Sequence, residues 1–295
     1  MNLYDSILIT GGGGMLGHAL TDLLVQRGHE PVSMARSQLD IANNDALVRV
    51  FATHKPSLVL NCAAHTKVDL CEQEKELADA INGYAVGKMA ALCKFSGATL
   101  VHVSTDFVFD GAVRPLRPYR PDDPTHAIQA YGWSKLLGET ELQRQAPSRW
   151  LIVRTAWVYG RHGANFPRTM INAARAGKPL AVVADQIGSP TYTPDLAAAI
   201  LNLLDADARG IFHVTNSGQT NWLEFARAAL DEFGLKNDIA PLTSEQWLKM
   251  RPTSAVRPGY TVLDTSLYTQ NAGRPMRPWQ EAVKDFATAV QRDGF

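Results

Sequence analysis

The sequence predicts an α/β protein built on a doubly wound parallel sheet, with a smaller lobe toward the C-terminus. In the first half, short apolar runs alternate with segments of helical periodicity. That order gives a parallel sheet covered by helices on both faces. The first run, Ile7-Leu8-Ile9, enters a turn containing Gly11, Gly12, Gly13, Gly14 and Gly17, and Leu16, Ala19, Leu20, Leu23 and Leu24 then recur at helical spacing. Beyond Gly160 the alternation gives way to helices separated by short strands.

The elements follow in order. Gly28 is a C-terminal cap for the first helix. Pro31-Val32-Ser33-Met34 is a second short strand. Asn43 or Asn44 caps a helix with Ala46, Leu47, Val50 and Phe51 on one face, and Pro56 ends it. Leu58-Val59-Leu60 is a third strand, residues 78–95 a long helix closed by Gly97, and Thr99-Leu100-Val101-His102-Val103 a fourth strand. Residues 110–130, with Pro115, Pro118, Pro121 and Pro124, break the pattern; irregular stretches of this length in a compact domain are usually functional. Residues 150–155 form another strand. Helices at 165–176 and 194–204 flank a strand at Leu180-Ala181-Val182-Val183. Ile211-Phe212-His213-Val214 is expected to return to the main sheet, and 221–233 and 278–292 are amphipathic helices. The expected division is a dinucleotide-binding domain over 1–160 plus about 196–217, and a discontinuous lobe over 161–195 and 218–295.

Composition narrows the function. The chain has 295 residues, enough for one large domain and a lobe, and its formal net charge is zero. That balance argues against an electrostatic nucleic-acid or membrane-surface binder. There is no long apolar run and no charged-then-apolar leader at Met1. Cys62, Cys71 and Cys93 are an odd number without ligand spacing, read as reduced thiols in a cytoplasmic protein. His65, His102, His126 and His162 show no metal spacing, and all eight histidines are read as structural or exposed. No metal is expected.

A strand-to-helix glycine turn lets a phosphate approach, because no Cβ blocks it and free N–H groups at the helix start meet the charge. The glycines fit two registers: Gly12, Gly14 and Gly17 as G-x-G-x-x-G, or Gly11, Gly14 and Gly17 as G-x-x-G-x-x-G. Tyr131 and Lys135, four residues apart, share one helix face. A nearby ammonium favours phenolate, making Tyr131 a usable acid/base near neutrality. Arg36 follows the second strand, where no acidic residue stands. An acid there would bond a ribose 2′-hydroxyl, whereas arginine neutralises a 2′-phosphate. NADPH is therefore expected as cofactor, with NADH kept as an alternative.

With these blocks in hand, the chain resembles the extended short-chain dehydrogenase/reductases, and within them the dTDP-4-dehydrorhamnose reductase family. The blocks are Gly11/Gly14/Gly17, Asn61-Cys62-Ala63-Ala64 and Thr66-Lys67-Val68-Asp69, Ser104-Thr105-Asp106-Phe107-Val108-Phe109-Asp110-Gly111, and Pro118-Tyr119. Tyr131-Gly132-Trp133-Ser134-Lys135, Arg154-Thr155-Ala156-Trp157-Val158-Tyr159-Gly160, Asn165-Phe166, Asp185-Gln186-Ile187-Gly188-Ser189-Pro190-Thr191, Arg257-Pro258 and Leu263-Asp264-Thr265-Ser266 complete them. Their order and spacing cover nearly the whole chain and select the Gly11 register.

The resemblance implies a Rossmann-type fold with a substrate-binding C-terminal lobe, and reduction of the C4 keto group of a nucleotide-linked 6-deoxy sugar. It makes Tyr131 the proton donor, Lys135 the ribose-binding group that lowers the Tyr131 pKa, and Thr105 a donor to the substrate carbonyl. Met15 and Leu16 at the helix start, Asp40-Ile41, Asn61 and Ala63-Ala64 would line the cofactor. Asp106, Phe107, Trp157, Asn165 and Arg257, with Thr105, would meet the nucleotide sugar; Trp157 is equally readable as a core aromatic. Phe107 stands where related dehydratases carry a glutamate base, and where this family often has tyrosine; Thr261 stands where it more often has serine. Two alternatives stay open: another nucleotide-sugar reductase or epimerase, and a non-catalytic reductase-like regulatory subunit of methionine adenosyltransferase. The partners expected are a nucleotide sugar, with no nucleic acid and no membrane; a homodimer is left open.

Overall fold

The computed structural model describes residues 4–112, 116–236 and 238–293. Pro115 of the proline-rich stretch lies outside them. Six parallel strands form the main sheet: β1 (Ile7–Thr10), β2 (Val32–Met34), β3 (Leu58–Asn61), β4 (Thr99–Thr105), β5 (Trp150–Thr155) and β6 (Gly210–His213). Their spatial order is β6-β5-β4-β3-β1-β2. The chain leaves β1 toward one edge and returns to the other side of β1 with β3. This reversal opens a crevice at the carboxyl ends of β1 and β3, the usual place for a ligand in an open α/β sheet.

Alternation along the strands explains why both faces are covered. Ile7 and Ile9 point to one side, Leu8 to the other. On the first side α1 (Met15–Gln26) and α5 (Thr193–Asp205) pack with Leu20, Leu24, Leu196, Ile200 and Leu203. On the second, α2 (Asn44–His54) and α3 (Ala85–Ser96) pack through Leu47, Phe51, Val86, Met89 and Cys93. A sheet buried on both faces needs apolar residues at nearly every position, and β1 and β3 are buried throughout. As expected, β6 rejoins the main sheet, pairing in parallel with β5.

Helix starts follow local chemistry. The Asn43, Asn165 and Asn221 side chains accept from the N–H groups of Ala46, Arg168 and Glu224. The long helix expected over 78–95 is not uniform: Asp79–Tyr84 is a wider π-helical segment ahead of α3. It carries Asn82, which is fully buried. The Asn82 amide donates to the His65 carbonyl and to Ser134 Oγ, and its oxygen accepts from the His65 N–H. Ser134 belongs to α4 (Ala130–Gln145), the helix of Tyr131 and Lys135. A Cβ on Gly138 of that helix would lie 2.1 Å from the Asn82 carbonyl oxygen, so only glycine permits this approach.

A third apolar cluster, including Tyr159, Ile171, Phe225, Trp279 and Phe286, holds the helices Phe166–Arg175, Trp222–Asp231 and Trp279–Asp293 together. The stretch expected to be irregular has no helix among its described residues before Ala130, where α4 begins. Tyr119 pins it by packing with Phe109, Tyr260, Val262 and Leu263. Beneath it lies a buried ion pair. Arg154 of β5 and Glu139 of α4 are 3% and 1% exposed, with Nη2 to Oε2 at 2.7 Å and Nε to Oε1 at 2.9 Å. Ser104 Oγ also donates to Glu139 Oε1, and Arg154 Nη1 donates to the Pro121 carbonyl. The pair joins β4, β5, α4 and the proline-rich stretch.

Removing one partner strands the other charge in the interior, which costs about 3–5 kcal/mol. Arg154→Ala is expected to lose that much unfolding free energy in urea titration, and Glu139→Leu combined with Arg154→Met to recover much of it. A loss below about 1 kcal/mol in the single variant would show that the pair does not hold the sheet to α4.

Candidate active site

The crevice is a cavity of about 1000 Å³ bounded by the β1 turn, the ends of β3 and β4, α4 and the lobe. Its glycine cradle is sterically specified. Gly11 has φ +70°, and a Cβ there would lie 2.6 Å from Ala63 N; a Cβ on Gly17 would lie 2.4 Å from the Gly11 carbonyl oxygen. Gly12 packs against Ser33 and Met34 of β2, while Gly11, Gly14 and Gly17 line the cavity. Gly14 is the N-cap of α1, with no side-chain cap and no acidic residue in the first turn. The first N–H groups of a helix have no partner within it, and the dipole there is positive. This end therefore fits a pyrophosphate. Arg36, exposed at the end of β2, and Asp40 and Ile41 line the same cavity further out.

Met15, Leu16, Ala63, Ala64, Thr105, Asp106, Phe107, Tyr131, Lys135, Trp157, Asn165 and Arg257 also line it. Asn61 does not. Its side chain is buried beneath the crevice, where Oδ1 accepts from Thr10 Oγ1 at 2.7 Å and from the Ala63 N–H at 3.3 Å. It shapes the cofactor wall from behind, because its polar atoms are taken up inside the sheet.

Thr105 ends β4. Its Oγ1 accepts from the Phe107 N–H and donates to Asp106 Oδ1 at 3.0 Å. Asp106 Oδ2 is buried without a hydrogen-bond partner. Burial pushes the Asp106 carboxyl up to about 7. Phe107 stands edge-on to the Tyr131 ring, with centroids 6.2 Å apart.

Tyr131 and Lys135 share the cavity face of α4, as their spacing requires. Their electrostatics differ from the sequence expectation. Burial raises the Tyr131 phenol above its usual range and nearby Asp106 adds to the rise, while the Thr105 hydroxyl opposes it. Lys135 does not lower it, because its ammonium side turns inward. Nζ donates to the Val103 carbonyl at 2.6 Å and lies 3.3 Å from His102 Nε2. Burial lowers Lys135 to about 8, against the pull of Glu139.

Trp157 and Trp222 form the lobe side, stacked with centroids 3.7 Å apart and planes 10° apart. Trp157 has φ +47°, an uncommon conformation for a bulky side chain. A Cβ on Gly188 would lie 2.6 Å from the indole, so Gly188 makes room for it. Trp222 had no sequence signal, because its helix shows only ordinary amphipathic spacing. Asn165 Nδ2 donates to the Gly160 carbonyl and contacts Met15 Sδ, joining the lobe to α1. Arg257 Nη2 donates to Asp69 Oδ1, bringing the C-terminal segment over the cavity.

The chain is matched over residues 5–292 by the model of the RmlD substrate binding domain family. It is 42% identical over 280 residues to the spore coat polysaccharide biosynthesis protein SpsK of Bacillus subtilis, covering 95% of this chain and 96% of that one. It is 41% identical to a dTDP-4-dehydrorhamnose reductase of Mycolicibacterium smegmatis, covering 98% and 86% of the two chains. The crystal structure of dTDP-4-dehydrorhamnose reductase from Bacillus anthracis, in complex with NADP, superposes with a TM-score of 0.89 at 34% identity, covering 97% and 98%.

The raised Asp106 carboxyl has a consequence for stability. Between about pH 4 and 7 the native state keeps a proton that the unfolded chain releases, so this group makes stability fall as pH rises. The slope reaches about 1.4 kcal/mol per pH unit for one proton. Asp106→Asn removes it, so the variant's stability relative to the parent is expected to rise from pH 4 to pH 7 in denaturant titrations. A difference independent of pH would contradict the shift.

Proposed function

The chain belongs to the dTDP-4-dehydrorhamnose reductase family, and from that premise we propose that it reduces the C4 keto group of dTDP-4-dehydro-L-rhamnose to give dTDP-L-rhamnose. The observation that carries this reading is the meeting of Thr105, Tyr131 and Lys135 with the glycine turn in one cavity. NADPH is the proposed cofactor, with its pyrophosphate at the start of α1 and its 2′-phosphate at Arg36. Bound there, it supplies a hydride.

The chain's own groups supply the rest. Tyr131 donates a proton to the C4 oxygen. Thr105 gives that oxygen a hydrogen bond as charge develops, which is worth most in a site arranged beforehand and shielded from water. In the present arrangement the Thr105 proton is held by Asp106, so the donor turns from that carboxyl to the substrate. Lys135 has N–H groups to offer the nicotinamide ribose. Trp157 and Trp222 give the sugar an apolar wall, and Asp106, Asn165 and Arg257 give polar contacts. We assign the substrate lobe to 161–195 and 218–295, and the cofactor domain to 1–160 with about 196–217. No helix among the described residues is long and apolar enough to cross a membrane; the location proposed for the reaction is the cytoplasm.

Phe107 favours reduction over dehydration. Water elimination needs a base beside the C5 carbon acid, and Phe107 offers only an apolar ring. The presence of Thr105, Tyr131 and Lys135 together opposes a purely non-catalytic subunit role.

The purified chain is expected to oxidise NADPH only when the 4-keto sugar is added. Tyr131→Phe is expected to lower kcat by about 10²–10⁴-fold, the usual loss when a general acid is removed, with NADPH affinity nearly unchanged. Unaltered turnover in the folded variant would remove Tyr131 from the reaction.

A further inference from the structure

The inner side of Lys135 meets a residue that the sequence presents as merely structural. His102 of β4 is fully buried, with Nε2 facing Lys135 Nζ and Nδ1 3.0 Å from the Asn61 amide nitrogen. The orientation of that amide is fixed by the groups around it. The Ala63 N–H can only donate, and it meets Asn61 Oδ1. Asn61 Nδ2, a donor, therefore faces His102 Nδ1, which must be the accepting nitrogen. Burial and the neighbouring Lys135 hold the His102 pKa well below its usual value, so the ring is neutral. A neutral ring with an unprotonated Nδ1 carries its proton on Nε2. That N–H points at Lys135 Nζ.

An ammonium has three donors and no acceptor, whereas an amine has two donors and one lone pair. Between the Val103 carbonyl and a His102 N–H, an amine satisfies both neighbours and keeps one N–H for the cavity. An ammonium would set one N–H against another. We propose that His102 is a positioning residue for the reaction: locked by Asn61 as the Nε2–H tautomer, it holds Lys135 against β4 and weakens its grip on the third proton. This rests on the reading of Tyr131 and Lys135 as the reductase's working pair.

The other ionisable groups around Lys135 do not offset this arrangement. Glu139, on the same helix, favours the ammonium, but its carboxylate is engaged by Arg154 and Ser104. Cys62, after β3, would favour it as a thiolate, but burial raises that thiol to about 12. Tyr131 lies one turn back on α4, with Thr105 and Asp106 as its polar neighbours.

Two measurements test the proposal. In protein labelled with ¹⁵N-histidine, the His102 resonances are identified by their loss in His102→Gln. Nδ1 is expected to give the signal of an unprotonated nitrogen and Nε2 that of a protonated one, from about pH 6 to 9. A Nδ1–H tautomer or an imidazolium would overturn the proposal. This measurement needs no substrate, so it stands whether or not the chain oxidises NADPH with the keto sugar. The second is the pH profile of kcat/KM. Loss of the Lys135 proton near pH 8 is expected to set an alkaline limb, and that limb to move up by at least half a unit in His102→Gln, whose amide oxygen can turn to accept from an ammonium. A folded His102→Gln with an unmoved limb would reduce His102 to a space-filling role and overturn the proposal.

Discussion

The buried Glu139–Arg154 pair is the contact on which the rest of the site depends. Tyr131 and Lys135 ride on α4, whereas Thr105 ends β4. Their relative position is only as firm as the joint between helix and sheet. That joint is a bidentate ion pair out of water, closed by Ser104 immediately before Thr105. A charge pair at this depth contributes little net stability compared with apolar packing, but it is costly to break. It therefore serves to specify geometry. The Asn82–Ser134 bond and the close approach of Gly138 to Asn82 secure the same helix from its other side.

Burial that secures the geometry also sets the proton chemistry. With water excluded, Asp106 rises to about 7, Lys135 falls to about 8 and the Tyr131 phenol rises. All three shifts disfavour charge, as desolvation requires. Desolvation thus brings the Asp106 and Lys135 titrations toward neutral pH and keeps the Tyr131 phenol protonated. A buried polar chain runs from Thr10, Asn61 and His102 of the sheet to Lys135 of α4 and carries the same logic into the interior.

Much of this was legible in the sequence because it is local. The glycine turn follows a buried strand and opens a helix within a dozen residues, and the Tyr131–Lys135 spacing places both on one face. The order of the blocks selects the Gly11 register, and Gly11 lies against Ala63 while Gly12 lies against β2. What stayed hidden depends on partners distant in the chain. Nothing near Glu139 announces Arg154, and nothing near Trp157 announces Trp222. The wide turn at Asp79–Tyr84 has the same apolar spacing as an ordinary helix. Asn61 sits in a motif that suggested the cofactor wall, yet the strand pleat turns its amide inward. Likewise, helical spacing put Lys135 beside Tyr131 but not the direction of its Nζ, which the Val103 carbonyl and His102 decide.

In the proposed reaction, hydride enters from outside and stays on the sugar carbon whose oxygen takes the Tyr131 proton. The most direct measurement is turnover of dTDP-4-dehydro-L-rhamnose with NADPH carrying deuterium at the transferable nicotinamide position. One deuterium at C4 of the product is expected for each NADPH oxidised. A product lacking deuterium at C4, or a sugar interconverted with the NADPH left intact, would contradict it.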